Sequence, residues 1–244
     1  MKEKEIGLLL PKQSTMHRFL VWILIILMSV ALYLVFIWSP IEKVMGNVQK
    51  IFYFHVGSAW VAFLAFGVVF VYSILFLMKR KRSYDMIAGT SAEIGVLFTA
   101  IVLTTGPIWG RSAWNTWWTW EPRLTTTLIL FFLYLAYIFI RRMDGAWEKK
   151  ARLAAVFGII SFIDVPIVFM AIRWWNSKLH PIVFGDSPNQ SGGGIEGEML
   201  VTLLFCLGVI TLLYIVLLQK GIYIEKTKLA VENYKKHIQE KLMK

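Results

Sequence analysis

Cysteine is almost absent: Cys206 is the only one in 244 residues. No intramolecular disulfide can form, and neither C-x-x-C nor C-x-x-C-H occurs. This excludes a thiol oxidoreductase and a chain carrying covalently attached haem. Acidic side chains are scarce as well, 15 against 26 Lys and Arg. The net charge of +11 would suit a nucleic-acid partner, but its distribution along the chain fits membrane topology instead. Charged residues make up only 17% of the chain and hydrophobic ones 57%, with a mean hydropathy of +0.62. That is too apolar for an ordinary soluble domain. No internal repeat of fixed period is present. No A-x-A cleavage site follows the first apolar stretch, residues 19–38, which is longer than a signal-peptide core and reads as a retained first span.

What the chain does have is long apolar runs. Six are able to cross a hydrocarbon core of roughly 30 Å, at about 18–38, 58–78, 91–109, 123–140, 153–172 and 199–218. Lipid admits only helices or closed barrels, and these runs are too long and too uniformly apolar for barrel strands. The expected fold is all-α: a polytopic membrane protein of six transmembrane helices, one integral membrane domain over residues 1–244. Residues from about 219 to 244 read as a cytoplasmic tail, solvated or bound to headgroups as an amphipathic surface helix. Twenty of the 26 basic residues fall on one side of this arrangement. They are Lys2, Lys4, Lys12 and Arg18; Lys79 to Arg82; Arg141, Arg142, Lys149, Lys150 and Arg152; and the lysines after Leu218. The positive-inside rule makes that side cytoplasmic, with both termini on it.

The opposite side carries segments 39–57, 110–122 and 173–198. Nine of the 11 tryptophans lie in or beside them: Trp38, Trp60, Trp109, Trp114, Trp117, Trp118, Trp120, Trp174 and Trp175. An ordinary aromatic belt is divided between both interfaces, so this asymmetry points to function on the outer face. The densest stretch is Trp114-Asn115-Thr116-Trp117-Trp118-Thr119-Trp120-Glu121-Pro122-Arg123, in the loop between spans 3 and 4. If it is helical, Trp114, Trp117, Trp118 and Glu121 share one face, while Trp120 and Arg123 point elsewhere. Pro122 suits the first turn of the next helix. Thr104-Thr105-Gly106-Pro107 should break span 3 near its outer end. Residues 189–197, rich in Gly and Ser, read as a flexible loop.

Four histidines are present. His17 and His237 lie at the cytoplasmic ends and are expected to be solvated. His55 and His180 lie on the two outer segments that flank the Trp-rich one, each among apolar or aromatic neighbours. Either they are hydrogen-bonded interfacial residues or they are ligands. As ligands, the chemistry that fits is haem: indoles pack on its flat apolar ring, imidazoles take its axial positions, and its propionates need cations. Arg111, Arg123, Arg173 and Lys178 are the outer-side cations. Zinc, held by two His and Glu121, fits less well, because it does not need four tryptophans. Asp164 is the one carboxyl deep within a span. It is expected to be neutral and bonded to a backbone carbonyl freed where Pro166 kinks span 5. Glu93, at the inner end of span 3, reads as solvated.

At these residues the chain resembles the cytochrome c maturation protein C family, haem-handling membrane proteins of the wider "WWD" group. Trp114–Thr125 resembles the family's tryptophan-rich signature, Phe52–Trp60 its first histidine segment and Arg173–Pro181 its second. Two positions depart: Glu121 stands where the family usually has Asp, and Gly57 where a proline is expected. The resemblance implies axial ligation of non-covalent haem b by His55 and His180. It implies a cradle of Trp114, Trp117, Trp118 and Trp120, with Trp60, Trp174, Trp175, Glu121, Arg111 and Arg123 as further binding candidates. It implies residence in the bacterial inner membrane and delivery of haem to a membrane-anchored periplasmic chaperone, assisted by ABC transporter subunits and a small membrane subunit. A role as a haem carrier is expected rather than an enzyme. The alternatives are a haem lyase joining haem to apocytochrome thiols, a membrane electron-transfer cytochrome, or a purely structural transporter subunit. The lyase and the electron carrier both call for histidines within spans, which are lacking.

Overall fold

The computed structural model describes residues 11, 13–42, 45–175, 180, 195 and 197–243. Its elements are helices: α1 (Thr15–Tyr33), α2 (Ile51–Lys79), α3 (Arg82–Trp114), α4 (Pro122–Arg142), α5 (Trp147–Ser161), α6 (Asp164–Trp174) and α7 (Gly197–Leu242). A π-helical turn, Leu34–Trp38, extends α1, and a 3₁₀ turn, Asn47–Lys50, leads into α2. With α5 and α6 counted as one interrupted crossing, six helical segments are long and apolar enough to span a membrane, as the apolar runs predict. The protein is a multi-pass membrane protein.

Local chemistry sets the helix ends. Ser14 caps α1, its hydroxyl accepting from the Met16 N–H at 3.2 Å. Asn115 closes α3 with a left-handed φ of 58°, a conformation Asn tolerates. Pro122 opens α4 in its first turn, as expected. The break expected at Thr104–Pro107 is absent: α3 runs through Pro107 to Trp114. The hydroxyls of Thr104 and Thr105 donate to the Ile101 carbonyl at 2.9 and 2.7 Å, and such side-chain bonds help a membrane helix carry a proline. The interruption comes instead between α5 and α6, at Phe162 and Ile163. Pro166 can give no N–H to the Phe162 carbonyl four residues back, and its ring crowds that carbonyl. Asp164 Oδ2 has no hydrogen-bond partner among the described residues, so the expected bond to a freed carbonyl is not made by that oxygen.

The helix pair α2–α3 is the centre of the bundle, with α4 to α6 on one flank and α7 on the other. Phe66 of α2 stacks on Tyr134 of α4 at 3.6 Å between centroids. Ser91 of α3 donates to the Ala65 carbonyl and meets the Tyr214 hydroxyl, each at 2.8 Å, tying α2, α3 and α7 together. The end that holds the first residues of α1 carries paired charges. Arg141 of α4 grips buried Asp85 of α3 with two N–H donors, the second at 3.1 Å. The indole N–H of Trp147, first residue of α5, donates to the same carboxylate at 3.3 Å. His17, expected in solvent, is buried: its Nδ1 lies 3.1 Å from the Gln219 side chain, joining α1 to α7. Glu93 is exposed, with Arg142 at 3.6 Å.

The tail is not a separate surface helix. It continues α7 without interruption, giving 46 residues, or about 69 Å at 1.5 Å per residue. That is more than twice the hydrocarbon thickness.

Removing one partner of a buried ion pair strands the other. Asp85→Asn is therefore expected to destabilise the detergent-solubilised protein by about 3 kcal/mol, seen as a fall in apparent Tm. Glu93→Gln, at the exposed pair, should change it by well under about 1 kcal/mol.

Candidate functional site

At the opposite end of the bundle the helices splay around a cleft of about 220 Å³. Among the described residues its walls come from α2, α3, the 115–121 loop, α4, α6, His180 and Leu207 of α7. α2 supplies Phe52, His55, Ala59 and Trp60; α3 supplies Gly106, Trp109, Gly110 and Trp114; the 115–121 loop supplies Trp117, Trp118 and Thr119. α4 adds Arg123 and Thr127, α6 adds Phe169 and Arg173, and His180 completes the wall. Thr99 and Leu130, further along α3 and α4, line its inner part.

Residues 115–121 are irregular, not helical. Asn115 ends α3, and Glu121, preceding a proline, is held in an extended conformation. The shared helical face of Trp114, Trp117, Trp118 and Glu121 therefore does not exist. Folding of the loop back over the helix end brings the rings together instead. Trp109 and Trp114 meet edge to face at 4.9 Å, Trp118 and Trp120 at 5.8 Å, and Trp114 packs its edge against His180 at 5.4 Å. Arg111 donates to the Asn115 carbonyl at 2.7 Å and so fastens the turn. The two glycines on this stretch leave room. A Cβ at Gly106 would lie 3.3 Å from His55 Cε1, and one at Gly110 would lie 3.4 Å from the Thr116 carbonyl oxygen.

Each histidine uses its Nδ1 within the protein. His55 Nδ1 lies 2.9 Å from Thr105 Oγ1. The Thr105 hydroxyl proton is already committed to the Ile101 carbonyl at 2.7 Å, so Nδ1 is the donor and Nε2 keeps its lone pair. His180 Nδ1 lies 3.1 Å from Glu121 Oε2, and a carboxylate can only accept. Burial holds the His180 imidazolium pKa below the ordinary value, and the Arg123 charge adds to this, against the opposing pull of Glu121. Both rings have Nε2 available to a metal, with Nδ1 held by the kind of partner that orients metal-binding histidines.

The cleft wall also holds polar atoms without protein partners among the described residues: the indole N–H groups of Trp109 and Trp118, and the Thr119 hydroxyl. The buried Thr125 hydroxyl, next to Leu124 on the wall, is in the same state. Buried polar groups in native proteins are nearly always satisfied, and three of these four line the cleft. Together with Arg123 and Arg173 they form a polar margin around an aromatic slot, a donor set suited to a flat apolar ligand with carboxylates at its edge.

Of the residues singled out from sequence, His55, His180, Trp60, Trp114, Trp117, Trp118 and Arg123 line this cleft. Arg123, expected to point elsewhere, faces in, because the helical phase does not run through the irregular loop. Glu121 acts behind His180. Arg111 holds the turn, Trp120 is 75% exposed and braces Trp118, and Trp174 and Trp175 are exposed and pack on one another. Lys178 and the 189–194 loop lie outside the described residues. Trp109, Thr105 and Thr119 were not chosen from sequence. Trp109 counts there among the outer-side tryptophans without being assigned to the site, and Thr105 reads as part of a break.

Comparison with known proteins shows the family. The profile of the "Heme exporter protein C" family matches residues 8–237. The chain belongs to the heme exporter protein C family. A putative cytochrome c biosynthesis ccmC-like mitochondrial protein of Marchantia polymorpha is 35% identical over 175 residues, 72% of each chain. Heme exporter protein C of Bradyrhizobium diazoefficiens is 33% identical over 193 residues, 79% of this chain and 72% of its own. The Haemophilus influenzae protein of that name is 32% identical over 180 residues, 72% of this chain and 71% of its own. The family match spans His55, the Trp-rich loop and His180 alike.

A buried hydroxyl without a hydrogen-bond partner opposes folding. Thr119→Val keeps the shape and removes the unpaired group, so ligand-free protein should gain about 1 kcal/mol of stability. Thermal unfolding of ligand-free protein would show it. A loss of stability would mean that Thr119 Oγ1 has a partner after all.

Proposed function

We propose that this protein binds haem as cargo in the cleft, on the outer face of the membrane, and passes it on for cytochrome c biogenesis. The observation that carries this reading is the convergence of His55 and His180 with Trp109, Trp114, Trp117 and Trp118 on one slot, each imidazole tethered through Nδ1. Haem asks for a flat aromatic sleeve, axial imidazole nitrogens and cations near its propionates. The indoles, the two Nε2 atoms, and Arg123 with Arg173 meet those demands in turn.

In this reading His55 and His180 fill both axial positions and keep oxygen from the iron. Burial among indoles keeps water from the ring. The unpaired indole N–H groups and the two arginines hold the carboxylate edge. The basic residues at the far end of the bundle favour a cytoplasmic position for that end, and so support a cleft on the periplasmic side of a bacterial inner membrane. Trp117 and Trp120, 60% and 75% exposed, offer an apolar rim at the cleft. A membrane-anchored haem chaperone could dock there, with ABC transporter subunits and a small membrane subunit as further partners. The cargo is non-covalent haem b. On this reading the protein is a carrier rather than a lyase.

Purified full-length protein should carry a low-spin haem spectrum. His55→Ala and His180→Ala should each reduce retained haem by at least about tenfold and change the spectrum of what remains. Unchanged spectra in both variants would remove the ligand assignment.

A further inference from the structure

The two imidazoles are held by unlike partners. Thr105 offers His55 Nδ1 a neutral hydroxyl oxygen, whose own proton is taken by the Ile101 carbonyl. Glu121 offers His180 Nδ1 a carboxylate oxygen, and the pair is partly buried, at 18% and 17% side-chain exposure. A carboxylate partner draws the Nδ1 proton and raises the basicity of the opposite nitrogen, whereas a hydroxyl does so far less. The rings are also fixed differently. His55 is seated on a continuous helix, with its Cε1 close against Gly106 of α3. His180 comes from the segment between α6 and α7 and packs on Trp114.

We propose that Thr105 and Glu121 are positioning residues that turn both Nε2 atoms to the iron but make the two axial bonds unequal, so that His55 lets go first and His180 holds the haem during transfer. This rests on the haem reading above. It gives the hand-off an order: one coordination site opens on the His55 side, an incoming ligand takes it, and the His180 bond breaks afterwards. No net oxidation or reduction is needed, since exchange of one donor for another leaves the oxidation state of the iron unchanged. The longer side chain of Glu121 is what reaches His180 from the end of the Trp loop, and the contact at 3.1 Å is made.

The test uses purified full-length protein loaded with haem in detergent. Carbon monoxide added to the ferrous protein displaces the weaker axial ligand. Its Fe–CO and C–O stretching frequencies are compared with those of His55→Gly and His180→Gly. The wild-type adduct should match His55→Gly, in which His180 is the remaining ligand; a match to His180→Gly overturns the proposal. Glu121→Gln should weaken ferric haem binding by about 10- to 100-fold and raise the midpoint potential by about 59 mV for each tenfold preferential loss of the ferric form. Thr105→Val should speed haem extraction by excess apomyoglobin and shift the potential less than Glu121→Gln does. Thr105→Ser should restore the slow rate, which a folding defect would not allow. A larger potential shift in Thr105→Val than in Glu121→Gln, or no shift in either, overturns the asymmetry. If His55→Gly and His180→Gly both keep the wild-type ferric spectrum, the haem-ligand reading fails, and this inference with it.

Discussion

Backbone N–H and C=O groups find no water in hydrocarbon, and this constraint governs where the protein can be irregular. Every crossing is helical, and Pro107 is accommodated by side-chain hydroxyls rather than by a break. Among the described residues, irregular chain is confined to the ends and to the Phe162–Ile163 interruption. Residues whose groups must face a ligand from several directions are therefore gathered at one end of the bundle. The Trp-rich loop follows from this: once Asn115 has ended α3, the rings no longer obey helical spacing and can close around a space.

The two ends of the bundle solve opposite problems. At the inner end, Asp85, Arg141 and Trp147 satisfy one another, and His17 pairs with Gln219. Three helices meet at the Asp85 carboxylate, which resists the splaying that the other end requires. At the cleft end, polar groups are aimed inward and several lack partners. Each such group opposes folding by about 1–3 kcal/mol, so the packed middle, with Phe66 on Tyr134 and Ser91 between α2 and α7, has to offset them.

The spans were legible because a 20-residue apolar run has few other uses in a folded chain. The start of α4 was legible because proline at the first turn costs the helix no hydrogen bond. The cleft was legible in its residue types, two outward histidines and a tryptophan excess, but not in its geometry. Spacing rules assume a continuous helix, and Asn115 and the pre-proline Glu121 interrupt it, so the phase predicted for Arg123 did not survive. Thr105 and Trp109 escaped notice for a different reason. Both lie on α3 at positions whose local sequence speaks of a helix end, whereas α3 runs unbroken to Trp114, with Thr105 against His55 of α2 and Trp109 against Trp114. His17 looked terminal, and its burial depends on α7 continuing past Gln219, a long-range contact that no local pattern encodes.

On the proposed reading the protein must bind its cargo without trapping it, and a site built from unlike halves suits that task. A slot formed by rigid helices alone would hold a porphyrin well and release it slowly. Here one imidazole belongs to the α2–α3 core, with Gly106 against its ring, and the other to a connecting segment tied back by Glu121. The Trp loop sits between them, fastened by Arg111 at one end and by the start of α4 at the other. Movement of the loop relative to α3 would change the distance between the two ligands without disturbing the packed middle of the bundle. The sharing of ligands between a rigid element and a tethered one is the physical basis on which haem could be held securely and still be given up.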